Sequence, residues 1–250
     1  MTRRKMIQFD VQSDIRRIGA VAALKTAEAL NQAIKDHGSA TWVLAGGTAP
    51  LTAYKVLAEQ YRDSIDWSKV IVLIGDERCV PLDSADSNWH QIAPIFFDLV
   101  PIPTANKLRP KSDLSAEEAA TDYADVLARL PQTETGQPRL DIVWLGVGED
   151  GHTLSLFPHH PRSQDTQSLV IPVYDSPKPP SNRITLTLKA LQATTNCIVM
   201  TAGANKAEAI KKAKQSDSRL PILQAVHTIE DGGGNVVWLV DPAAFGDVAV

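Results

Sequence analysis

The chain has 250 residues, 44% of them hydrophobic, and a formal net charge of -4 at pH 7. That length carries one substantial core and suits a single α/β domain over residues 1–250, while the acidic balance, with its cations spread along the chain, gives no electrostatic reason to expect nucleic acid as a partner. Two cysteines far apart, Cys79 and Cys197, argue against a disulfide framework or a cysteine-based zinc site and suit the reducing cytosol.

In chain order, Met1-Thr2-Arg3-Arg4-Lys5 is basic, but no long apolar run follows it, so no secretory leader is expected and no stretch is long enough to span a membrane. Residues 14–37 have helical periodicity with Gly38 as a stop. Thr41-Trp42-Val43-Leu44 is an apolar strand running into Gly46-Gly47, and Pro50 sits in the first turn of a helix over 50–61. Val70 to Ile74 is a second strand, ending at Gly75-Asp76; a polar loop over 82–87 and a helix over 88–99 follow. Ser115 and Glu118 form a capping-box signature at the head of a helix over 115–130, and 133–138 is another polar loop. Ile142 to Leu145 runs into Gly146, and Ile198 to Met200 runs toward Gly203 and a helix over 205–214. Between them, Arg183 to Leu188 alternates with period two, as in a strand with one wetter face. Gly232-Gly233-Gly234 is expected to be a mobile hairpin before a terminal strand over 236–240. Strands alternating with helices imply a mainly parallel, Rossmann-like sheet with helices on both faces and right-handed crossovers. Four of its strands lead into glycine, and the carboxyl edge of such a sheet is where small ligands bind.

The segment from Gly146 to Pro158 says most about function. It places His152 beside Glu149 and Asp150 on a glycine-rich turn at a strand tip. Gly146, Gly148 and Gly151 satisfy the dinucleotide pattern, but Pro158 and Pro161 leave barely two turns for the helix that pattern needs. The glycines instead let the backbone approach a ligand or take up positive φ. A neutral imidazole can act as a base near neutral pH, and either Asp150 or Glu149 could fix its tautomer and stabilise the imidazolium.

Four further elements offer binding for an anion. Gly46, Gly47 and Thr48 precede a helix, so unpaired N–H groups and a hydroxyl point to the sheet edge; the spacing is not that of a nucleotide P-loop and suits a small phosphate ester. Asp76-Glu77-Arg78 follows the next strand with both signs of charge. Lys178-Pro179-Pro180 and Arg183 present cations on a chain the prolines hold extended, and a guanidinium binds phosphate through two hydrogen bonds. Lys206 stands in the first turn of a helix, against the helix dipole, where an anionic partner is wanted. His159-His160 lacks the further ligands a metal would need, and Cys79 has no histidine spaced to make it a nucleophile.

Taken together, Ala45 to Pro50, Asp76 to Pro81, Ser87-Asn88, Gly148 to Pro158 and Lys178 to Thr185 resemble the ordered motif set of the 6-phosphogluconolactonases. The resemblance runs from about Trp42 to Lys206. It implies a fold similar to those of glucosamine-6-phosphate deaminase and ribose-5-phosphate isomerase, and hydrolysis of 6-phospho-D-glucono-1,5-lactone to 6-phospho-D-gluconate without metal or organic cofactor. By the same resemblance His152 is the general base and Asp150 orients it. Arg78, Lys178, Arg183 and Lys206 would share the phosphate and the oxyanion, with Asn88 on sugar hydroxyls and Gly46, Gly47, Thr48 and Asp76 completing the substrate site. The chain departs from the family at Ala45 and Ala49, where hydroxyl residues are usual; each neutral hydrogen bond lost would weaken binding by roughly 1 kcal/mol. Two rival readings differ in testable features. An amino-sugar-phosphate deaminase would carry Glu-Pro where this chain has Phe157-Pro158, and a non-enzymatic sugar-phosphate sensor would need a DNA-binding element for which the chain has no room.

Overall fold

Every residue of Ala40–Leu44 is buried, as is nearly every residue of Val70–Ile74 and Leu140–Gly146, which is what strands covered on both faces require. The computed structural model describes residues 7–111, 114–165, 167–217 and 219–246. Along the chain the elements are β1 (Phe9–Val11), α1 (Ile15–His37), β2 (Ala40–Leu44), α2 (Thr48–Gln60), β3 (Val70–Ile74), β4 (Asp76–Arg78), α3 (Asn88–Ile92), β5 (Lys107–Leu108) and α4 (Ala116–Ala128). There follow β6 (Leu140–Gly146), β7 (Val170–Val173), β8 (Arg183–Leu186), β9 (Thr194–Thr201), α5 (Ala207–Lys214), α6 (Pro221–Asp231), β10 (Asn235–Val240) and α7 (Pro242–Phe245). A 7-stranded parallel sheet has the order β1-β10-β9-β6-β2-β3-β5, and a 3-stranded antiparallel sheet has the order β4-β8-β7.

Strand periodicity divides the core in two. Trp42, Leu44, Val72, Ile74, Ile142 and Trp144 face α1 and α2, while Val43, Leu73, Val143 and Leu145 face α4, α5 and α6. On the first face Trp42 meets Trp144 edge-on at 4.7 Å, with Tyr54 4.7 Å from Trp144 and Phe96 5.5 Å from Trp42. Losing one such buried aromatic typically costs about 3–5 kcal/mol. Trp144 also donates through Nε1 to Thr26 Oγ1 of α1 at 2.9 Å, so the ring is fixed by a bond as well as by packing.

The helix signals act as expected at both ends. Asp14 accepts from the Arg17 N–H at 2.9 Å, and Gly38 stops α1 at φ 77°. Ser115 and Glu118 form a complete capping box on α4. Several expectations are corrected. The helix over 88–99 ends at Ile92 because Pro94 lacks the N–H and clashes with the turn before it; only a short 3-10 turn, Ala93–Ile95, follows. The strand over 183–188 ends at Leu186 and has no wet face, since all four residues are buried in the small sheet. Gly232 to Gly234 form no hairpin: they join α6 to β10, which runs parallel to β9, and a Cβ on Gly232 would lie 2.1 Å from the Gln192 carbonyl oxygen. Among the described residues no helix is long and apolar enough to cross a membrane.

Candidate active site

From β2 the chain winds outward through β3 to β5; it then returns across the sheet to β6 and winds the other way through β9 to β10. The loops after β2 and β6 therefore part company between adjacent strands, which is the topological switch point of a doubly wound sheet. A crevice of about 300 Å³ opens there. Gly46, Gly47 and Thr48 line it from the β2 loop, Asp76, Arg78 and Asn88 from beyond β3, and His152 from the β6 loop. Lys178 and Arg183 reach it from the β7–β8 turn, and Lys206 from the turn after β9.

The β6 loop is built around its histidine. The Gly148 N–H donates to the His152 carbonyl at 2.8 Å and the Gly151 N–H to the Gly148 carbonyl at 3.0 Å, with Gly151 at φ 84°. A Cβ on Gly148 would sit 2.0 Å from His152 Nδ1, so the bare backbone is what lets the imidazole lie against the loop. Phe157 supports the ring from 4.7 Å. Asp150 stands behind it, and Nδ1 and Asp150 Oδ1 are 2.5 Å apart. Burial pushes the Asp150 carboxyl up, but the hydrogen bond and charge of His152, with backbone N–H groups, outweigh it and bring the pKa down to about 2. Asp150 is therefore ionised and can only accept, so the proton of this contact sits on His152 Nδ1, the tautomer that leaves Nε2 for a lone pair whenever the imidazole is neutral. Of the two carboxylates adjacent to His152 in sequence, Asp150 makes the bond; Glu149 instead accepts from Asn205 Nδ2 at 2.7 Å and lies 3.8 Å from Lys178 Nζ.

Buried polar bonds lock this loop to its neighbours. Ser155 Oγ donates to Asp76 Oδ2 at 2.6 Å, and the Ser155 N–H to Thr185 Oγ1 at 3.1 Å. Glu77 is not a rim charge: it accepts from the N–H groups of Arg78, Asn88 and Trp89 and from Ser87 Oγ, capping α3. Burial pushes its pKa up, with those backbone donors working against the shift. Arg78 donates through Nη1 to the Asp86 carbonyl, and its Nε is buried without a partner. Asn88 gives its amide hydrogens to the Asp76 carbonyl at 2.8 Å, while its buried Oδ1 has no partner and leaves no room for a Cβ on Gly46.

The anion loop after β2 is held from beneath. Gly47, at φ 96°, precedes α2, and no side chain caps that helix, so its first N–H groups face the crevice. Tyr54 fixes the preceding residue: its hydroxyl accepts from the Ala45 N–H at 3.1 Å and donates to the Ala45 carbonyl at 3.0 Å. A polar anchor is thus present beneath the position where the motif usually has a hydroxyl residue.

Two expectations about the cations change. Lys178-Pro179-Pro180 is not extended; it turns between β7 and β8, closed by the Ser176 N–H on the Ser181 carbonyl at 3.0 Å, and Pro179-Pro180 is cis. Arg183 is buried over the Phe157 ring, donating through Nε to the Pro180 carbonyl at 3.0 Å and through Nη2 to the Lys178 and Pro179 carbonyls at 3.0 and 3.2 Å. These bonds engage Nε and Nη2 and tie the guanidinium to the turn that presents Lys178, while Arg183 also lines the crevice. Burial draws the Lys206 pKa down, Lys178 reinforces that shift, and Glu149 opposes it. Burial also pushes the Cys79 thiol up, away from a reactive thiolate. His160 bonds the Tyr174 carbonyl, and no group of three or more metal-binding side chains converges among the described residues. Sequence reasoning did not single out Tyr54, Ser155 or Asn205; each acts through a partner distant in sequence, so no local pattern marks it.

With the geometry in place, the chain was compared with known proteins. The profile described as glucosamine-6-phosphate isomerases/6-phosphogluconolactonase matches residues 13–238. The chain belongs to that family. A family relative, the probable 6-phosphogluconolactonase 4, chloroplastic, of Oryza sativa subsp. indica, is 38% identical over 252 residues, 96% of this chain and 75% of that protein. The 6-phosphogluconolactonase 3, chloroplastic, of Arabidopsis thaliana is 35% identical over 226 residues, 88% and 68% of the two chains. The crystal structure of 6-phosphogluconolactonase from Thermotoga maritima superposes with a TM-score of 0.79 at 26% identity, covering 93% of this chain and 98% of that one. The family's α/β Rossmann-like fold is the one described above.

Proposed function

We propose that this chain hydrolyses 6-phospho-D-glucono-1,5-lactone to 6-phospho-D-gluconate, with His152 as the general base. The observation that carries the reading is the 2.5 Å contact of His152 Nδ1 with Asp150 Oδ1, in a crevice lined with cations. Nε2 takes a proton from water as the water oxygen bonds the lactone carbonyl carbon, and the carbonyl electrons move onto oxygen. When the tetrahedral intermediate collapses, the bond from that carbon to the ring oxygen breaks, and the imidazolium returns its proton to the departing oxygen. The acid formed then ionises. Asp150 stabilises the imidazolium between the two transfers, worth roughly 10²- to 10⁴-fold together with the base. Arg78, Lys178, Lys206 and the open N-terminus of α2 supply the positive lining for phosphate and oxyanion, with Asp76 and Asn88 beside the sugar hydroxyls.

We read the chain as a lactonase in preference to a deaminase because Phe157 is a buried ring packed on His152, where proton relay would need a carboxylate. Its free cysteines, Cys79 and Cys197, suit work in the reducing cytosol. One pocket draws on both the large sheet and the small one, which supports one catalytic α/β domain. The test is clearance of freshly generated phosphorylated lactone beside unphosphorylated gluconolactone, with wild type and His152→Ala. We expect a strong preference for the phosphorylated substrate and a loss of roughly 10²- to 10⁴-fold in turnover in the variant, with product binding retained. Equal treatment of both lactones, or full turnover without the imidazole, would refute it.

A further inference from the structure

Glu149 lies beside the Asp150–His152 pair yet takes no part in it. Its carboxylate is exposed, parked on Asn205 Nδ2 at 2.7 Å through Oε1 and 3.8 Å from Lys178 Nζ through Oε2. Lys206 follows Asn205 in the same short turn, and its charge also acts on Glu149. Lys178 and Lys206 both line the crevice, whereas Glu149 stands outside it. One carboxylate outside the crevice thus lies 3.8 Å from the ammonium group of Lys178 and within electrostatic reach of Lys206. Like charges aimed into one cavity repel, and a counter-charge that does not fill the cavity relieves them while leaving it open.

We propose that Glu149 is a built-in competing anion, which neutralises Lys178 and Lys206 between turnovers and opposes a bound phosphate for them, so that phosphorylated product leaves faster. The geometry suits competition better than support. A contact of 3.8 Å to an exposed lysine is loose and easily given up, and the Asn205 bond keeps the carboxylate in place when Lys178 turns to a ligand. An ionised carboxylate that stays put beside a phosphate dianion repels it. Glutamine at this position keeps an oxygen for Asn205 and removes only the charge.

This inference rests on the phosphate reading of the crevice, so its test reads binding and not turnover. Inorganic phosphate and 6-phosphogluconate are titrated calorimetrically into wild type, Glu149→Gln, Lys178→Ala and the double variant. Glu149→Gln should bind both ligands roughly two- to fivefold more tightly at low ionic strength, with the gain fading as salt is added. In the Lys178→Ala background the gain should shrink, because the charge it acts through is gone. Equal or weaker binding by Glu149→Gln would make the carboxylate a support for the lysines and overturn the proposal, as would absence of phosphate binding in every protein. Tighter phosphate binding without lactone hydrolysis would leave the competing anion standing and remove the lactonase.

Discussion

Gly148→Ala tests the proposed site most sharply, because it adds a single methyl group where the His152–Asp150 pair lies. The new Cβ would stand 2.0 Å from His152 Nδ1, 2.2 Å from Cε1 and 2.7 Å from Asp150 Oδ1. Real Cβ contacts essentially never fall below 3.0 Å, so the imidazole must retreat by about 1 Å at least. Gly148 is not among the residues of positive φ, so the backbone accepts alanine and the clash is confined to the ring and its carboxylate. A displacement of about 1 Å in a reacting group can cost about 10²-fold in rate. We therefore expect kcat to fall roughly a hundredfold, read as 6-phosphogluconate formed above the spontaneous rate. Binding of 6-phosphogluconate should change little, since no cation is touched, and the circular dichroism melt should confirm that the fold persists. A folded Gly148→Ala protein with the wild-type kcat would show that the reaction does not depend on the placement of His152.

Two more expectations concern stability. Tyr54→Phe strips both hydrogen bonds from buried Ala45 and should cost about 1–3 kcal/mol in urea unfolding, with a rise in KM as the anion loop loosens; an unfolding midpoint equal to that of wild type would mean that the loop holds itself. The Asp150 pKa of about 2 lies below the ordinary 3.8 of an aspartate, so its ionised carboxylate contributes stability that is complete above pH 3.8 and lost as the pH falls through 2. The stability difference between wild type and Asp150→Ala should accordingly shrink across that window. A difference that holds constant there would assign the low pKa to something other than folding. Because Asp150 is partly exposed, solvent screening makes the effect smaller than the bare shift would suggest.

Where the sequence was readable, a local rule and the tertiary structure agreed. Asp14, Gly38 and the Ser115–Glu118 pair mark helix ends through bonds made within one turn, and the apolar runs of β2, β3 and β6 announce burial on both faces. Of the small sheet only β8 was legible as a strand, because β4 and β7 look like something else. Asp76-Glu77-Arg78 is too charged to suggest a strand until Glu77 is seen buried under four donors, and β7 contains Pro172, a residue that weakens a strand reading. The helix α6 begins at Pro221 beyond a polar stretch and was passed over, which in turn made the glycines after it look like a hairpin. At the site, the residue types were legible as chemistry, but their division of labour was not. Arg183 reads as a free cation in the sequence, and only the structure shows its Nε and Nη2 on the carbonyls of its own turn. The choice between Asp150 and Glu149 needed a distance.

The candidate binding groups of the crevice run from Gly46 to Lys206 in the chain and meet only in the folded protein. A chain emerging from the ribosome therefore carries none of its affinity in advance: the β2 loop is synthesised long before the strand that delivers the last lysine. The turn carrying Lys206 is placed by the pairing of β9 with β6, so a bound sugar phosphate would act as a clasp across distant parts of the polypeptide and raise the stability of the whole fold.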